Sequence, residues 1–170
     1  MQRKDHILFL DFDGVLHPDA VYLSRQGPTL KADGTLFMWA PILVQILTEF
    51  PTVSMVLSTS WVRHLGHKRA LSYLPPELQN RVIGATWHSA MAKGWIDENQ
   101  WDGKVRYDQI CRYVARANLR KWVALDDEVQ GWAEESIEHL VPCEPALGLN
   151  SPLTQMELQY RLREICTEQN

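Results

Sequence analysis

Cysteine is scarce in these 170 residues: Cys111, Cys143 and Cys166 are scattered, odd in number and form no CxxC pair. That argues against a disulfide framework and against a zinc knuckle, and a reducing cytoplasm is the expected setting. Long hydrophobic runs are also missing. No segment approaches the ~20 apolar residues of a membrane span. The apolar stretch behind the basic N-terminus is too short for a secretory signal, so no membrane contact is expected. Positive charge is not in excess either, since 17 Lys+Arg against 21 Asp+Glu leave a net charge of −4. A protein whose main task is coating nucleic acid carries a strongly basic surface. This balance does not indicate one, although it leaves room for a local basic patch. Repeats, low-complexity tracts and linkers are absent, so one domain over residues 1–170 is expected.

What is present concentrates in His6–His17, HILFLDFDGVLH. The apolar run Ile7–Leu10 suits a strand buried on both faces of a parallel sheet. Asp11 and Asp13 follow where that strand ends, which is where open α/β sheets bind ligands. Their period-2 spacing puts both carboxylates on one side of an extended chain. Gly14 lets the backbone turn sharply against a ligand. Like charges this close call for a cation or a shared proton.

The pattern recurs downstream. Val53–Leu57 is a second buried run ending in Ser58-Thr59-Ser60-Trp61, and Trp122–Leu125 is a third ending in Asp126-Asp127-Glu128. Shorter strands are expected in Arg81–Trp87 and at Leu140-Val141. Helices are expected over Trp39–Phe50, Val62–Leu74, Val105–Asn118 and from Pro152 to about Ile165, with a short turn at Glu77–Asn80. Pro18–Gly34 reads as a hairpin or flap, and His88–Gly103 as a loop. Strands alternating with helices predict a doubly wound parallel α/β sheet, and its polar strand ends would share one edge.

DFDGVL matches the DxDGx[LV] signature of the haloacid dehalogenase-like (HAD) superfamily, and the resemblance extends from about Ile7 to Asp127. Ser58 resembles the superfamily's second motif, Lys104 its third-motif lysine and Asp126-Asp127 its acidic fourth motif. Lys93 competes with Lys104, and Thr59 with Ser58. The STSW and WVALDD contexts also resemble a group of small HAD domains, some attached to RNA-repair proteins. The resemblance implies a Rossmann-like core that is capless or carries only a small flap, because the intervals where caps are inserted are short.

The resemblance also implies a Mg²⁺-dependent phosphatase. Asp11 would be the nucleophile and Asp13 the general acid/base. Ser58 or Thr59, Lys104 and backbone groups near Gly14 would bind the phosphoryl group. Mg²⁺ would be held by Asp11, the Asp13 carbonyl, Asp126 and Asp127. A phosphorylated substrate is the expected partner. Nucleic-acid ends fit an open site, with Arg63, His64, His67, Lys68 and Arg69 as a basic cluster and Trp61, Trp87, Trp95 and Trp101 as stacking surfaces. Net charge does not point that way. The rivals are a non-catalytic binding module for nucleic acid or protein and a small-molecule phosphatase. Dehalogenation is disfavoured because halide needs no proton to leave, which would give Asp13 no task. His17 is expected to shape the turn after Asp13.

Overall fold

The three mainly apolar runs become the three inner strands of one sheet. In the computed structural model, which describes residues 6–89, 91, 101 and 103–167, they are β1 (His6–Leu10), β4 (Val53–Leu57) and β6 (Lys121–Asp126). β1 lies in the middle. It pairs in parallel with β4, from His6 opposite Val53 to Leu10 opposite Leu57, and with β6, from His6 opposite Lys121 to Leu10 opposite Leu125. The shorter β5 (Val82–Ala85) and β7 (Leu140–Pro142) flank them, giving the order β5-β4-β1-β6-β7 with every pairing parallel.

Alternation along the inner strands splits the core in two. Leu8, Leu10, Met55, Leu57, Val123 and Leu125 pack with Leu43 and Leu47 of α1 (Ala40–Thr48) and with Leu158 and Leu162 of α6 (Pro152–Cys166). Ile7, Phe9, Val56, Trp122 and Ala124 pack on the other face with Ile110 of α5 (Arg106–Ala117). Each large apolar side chain buried this way is worth about 1.5–3 kcal/mol. This is the doubly wound α/β architecture that strand–helix alternation predicts.

Between β1 and α1 the chain forms an antiparallel hairpin, β2 (Val21–Ser24) and β3 (Gly27–Leu30). The helix expected over Val62–Leu74 is instead two short ones, α2 (Ser60–Leu65) and α3 (His67–Leu71). Gly66 separates them at φ 85° and ψ 153°, an extended left-handed conformation that only glycine adopts cheaply. After α4 (Pro76–Gln79), Arg81 fastens the end of α1 to the start of β4. Its guanidinium donates to the carbonyls of Leu47, Phe50 and Val53 at 2.8–2.9 Å. Ser151 caps α6 by accepting the Thr154 N–H. Most of the segment expected as a loop over His88–Gly103, including Lys93 and Trp95, lies outside the described residues.

Candidate active site

The sheet geometry brings the acidic strand ends together. The β1 ladder continues past its last residue: Asp11 N–H donates to the Leu125 carbonyl and Ser58 N–H to the Leu10 carbonyl. Asp11, Asp126 and Asp127 each offer a carboxylate oxygen, all within 4.8 Å of one another. Gly14 makes this crowding possible. It sits at φ +70°, and a Cβ there would fall on the Asp127 carboxylate.

Burial and mutual repulsion disfavour charge on all three acids. Burial raises the Asp11 pKa, Arg106 opposes the shift and Asp13 adds to it. Burial and the neighbouring Asp11 carry Asp126 well above the ordinary carboxylate value. Burial, Asp11 and Asp19 push Asp127 up to about 7. Glu128 N–H donates to Asp126 Oδ1 at 2.9 Å, while Oδ2 is buried without an aligned hydrogen bond. Two buried carboxylates and a half-buried third form a hard-oxygen donor set that fits a small dication.

Among the described residues, the cation facing these acids is Arg106. Its Nη2 lies 3.6 Å from Asp11 Oδ1 and its Nε 3.2 Å from Asp126 Oδ2. Burial opposes its charge, but Asp11, Asp126, Glu128 and Asp127 together hold its pKa above the usual arginine value. Arg106 opens α5, and Glu128 holds that end by accepting the Arg106 backbone N–H at 3.0 Å. Lys104 stands away from these acids, and the competing Lys93 lies outside the described residues. Lys104 is exposed, and its residue borders a shallow surface hollow with Asp108, Cys111, Arg112 and Ala115. It precedes the helix by one residue too many, and the chain turns its side chain outward. A sequence signal for Arg106 does exist: a cation in the first turn of a helix opposes the macrodipole and needs another reason to be there.

The strand end after β4 distinguishes Ser58 from Thr59. Thr59 is the N-cap of α2, accepting the Trp61 N–H at 3.3 Å, and its hydroxyl is among the groups that lower the Asp11 pKa. Ser58 is fully buried, and its hydroxyl has no hydrogen-bond partner among the described residues. The turn into α2 swings Thr59 to the nucleophile candidate, a phase that strand alternation alone leaves open.

Asp13 stands apart from the acid cluster. His17 Nε2 lies 3.0 Å from its Oδ1, and the Trp61 indole N–H donates to its Oδ2 at 2.9 Å. Trp61 and Trp101 are packed in the interior, while Trp87 carries the Arg63 guanidinium over its ring. His64, His67, Lys68 and Arg69 are exposed on α2 and α3.

Residues 7–153 match the family model described as the HAD domain in Swiss Army Knife RNA repair proteins. No curated protein and no solved structure matches the chain. With that match over most of its length, the chain belongs to the family of HAD domains found in Swiss Army Knife RNA repair proteins.

Proposed function

We propose that the chain is a Mg²⁺-dependent phosphomonoester hydrolase that works through an aspartyl-phosphate on Asp11. The observation that supports it most is the division of labour among acids: Asp11 shares a cluster with Asp126 and Asp127, while Asp13 is held separately by two ring N–H groups. Asp11, Asp126 and Asp127, with the Asp13 carbonyl, are the residues that would hold Mg²⁺. The bound ion would offset the repulsion between a carboxylate and a phosphoryl group.

The remaining steps belong to the chain. An Asp11 oxygen attacks phosphorus as the bond to the leaving oxygen breaks. Asp13 supplies the proton that oxygen takes up, then removes one from the water that cleaves the Asp11–phosphorus linkage. Arg106 offsets negative charge on Asp11 and on the phosphoryl group, a task assigned above to Lys104 by resemblance. The Thr59 hydroxyl donates to a phosphoryl oxygen, with Ser58 as the alternative donor.

Membership in a family found in RNA repair proteins favours a phosphorylated polynucleotide end as substrate. Phosphate release should be measured on 4-nitrophenyl phosphate, sugar phosphates, nucleotides and oligonucleotides phosphorylated at the 3′ or the 5′ end. Turnover that needs Mg²⁺ and vanishes in Asp11→Asn is expected, with oligonucleotides preferred. Mg²⁺ binding without turnover on any of these would make the chain a binding module. Unimpaired turnover by Asp11→Asn would remove Asp11 as nucleophile.

A further inference from the structure

His17 and Trp61 have no direct part in the chemistry proposed above, yet both are spent on Asp13. The tautomer of His17 follows from its neighbours. The Phe37 backbone N–H, which can only donate, meets His17 Nδ1 at 3.1 Å. The ring proton therefore sits on Nε2 and is donated to Asp13 Oδ1 at 3.0 Å. An indole N–H likewise only donates, and Trp61 gives it to Asp13 Oδ2 at 2.9 Å. Each carboxylate oxygen accepts one ring N–H from a fixed direction, and together the two donors define a single orientation.

The rings themselves have little freedom. His17 is 0% and Trp61 5% exposed. Phe37 packs edge-on against both, at centroid distances of 4.8 and 5.2 Å, and Tyr73 meets Trp61 at 5.1 Å. Trp61 is anchored further through its own backbone N–H, which donates to the Thr59 hydroxyl at 3.3 Å.

The side chain of Asp13 is still 24% exposed. It borders a cleft of about 270 Å³ between the β2–β3 hairpin and α2, walled by Val21, Leu23, Pro28, Trp61 and Leu65, with Ser60 and His64 as its other polar residues. A general acid has to stand within hydrogen-bond reach of the oxygen it protonates, about 2.6–3.2 Å. Each carboxyl oxygen has two lone-pair sites, so the ring donors leave room for the transferable proton.

We infer that His17 and Trp61 are positioning residues that hold the Asp13 carboxyl toward the hairpin–α2 cleft, so that the leaving group departs into that cleft. This rests on the phosphatase reading. In the first step the Asp13 O–H proton goes to the leaving alkoxide as the phosphorus–oxygen bond breaks and the Asp11–phosphorus bond forms. Leaving groups that need this proton depend on the two rings, and those that depart as stable anions do not.

The test is Trp61→Phe, which keeps an aromatic ring in the cluster and removes one donor. With Mg²⁺ present, kcat/KM is compared for an alkyl phosphate and for 4-nitrophenyl phosphate. Proton delivery contributes about 10²–10⁴-fold, so the alkyl ester should slow by about tenfold or more and the nitrophenyl ester by less than about threefold. Equal losses on both esters, or no loss, would overturn the inference and leave the phosphatase reading intact. A wild-type protein inactive on both esters and on the phosphorylated oligonucleotides would overturn that reading and the inference with it.

A second measurement does not depend on turnover. The Trp61 indole N–H resonance in the wild-type protein should shift upfield in Asp13→Ala. A resonance that does not move would show that the hydrogen bond is absent in solution, and the inference would fall.

Discussion

Arg106 and Lys104 are two residues apart, and their surroundings differ completely. Arg106 is almost fully enclosed by Asp11, Asp126 and Glu128, whereas Lys104 faces solvent. A buried cation aimed at a developing anion is worth about 10²–10³ in rate, while a solvated one is worth little. Arg106→Ala should therefore lower kcat/KM by about 10²–10³-fold. Lys104→Ala should stay within about twofold, and steady-state assays of both variants decide the assignment. The carboxylates were legible in the sequence because each follows an apolar run whose end can be counted. The cation was not, because a helix start is uncertain by one or two residues and each residue turns a helical side chain by about 100°. Ser58 and Thr59 stay alternatives in the sequence for a related reason: the exit of β4 into the α2 cap rotates side chains away from strand phase.

At the scale of elements, the strands β1, β4 and β6 were legible because each is a short, mainly apolar run that ends in small polar or acidic residues. The split between α2 and α3 was not, since glycine inside a helical pattern is often tolerated. Arg81 is the least expected element-level contact. It was read as the start of a strand, and it turns out to bind three backbone carbonyls that the end of α1 and the start of β4 leave open. Burial lowers its pKa but no acid pairs with it in those contacts, so its value lies in satisfying carbonyls. Arg81→Met should destabilise the fold by about 2–3 kcal/mol, the sum of a few charge-assisted hydrogen bonds offset by retained packing. Urea unfolding would show this as a lower midpoint at unchanged slope. Activity of the folded fraction should stay near wild type, because Arg81 lies at the opposite end of the strands from Asp11.

For the whole molecule, the acid cluster ties stability to pH and to metal. Asp127 has an ordinary value of 3.8 and is raised to about 7, and Asp11 and Asp126 are raised as well. The folded state therefore holds protons that the unfolded chain releases. That contribution is fully present below about pH 4 and is lost as pH rises through about 7. Without divalent ions, Tm should fall between pH 5 and pH 8, and Asp127→Asn should flatten the decline. Mg²⁺ requires the deprotonated acids, so it should raise Tm more at pH 8 than at pH 5. Scanning calorimetry at both pH values, with and without Mg²⁺, tests the sign. A Tm that rises with pH in the metal-free protein would show that the acids are not held protonated by burial.

The strand order has a consequence in time. β1 emerges first during synthesis but lies at the centre of the sheet, with partners that begin at Val53 and Lys121. A nascent chain that ends before Asp126 carries Asp11 without the aspartates that complete its cluster. On the proposed reading, cation uptake therefore switches on late and at once, when β6 docks beside β1. Until then Asp11 is an ordinary solvated carboxylate with nothing to act upon.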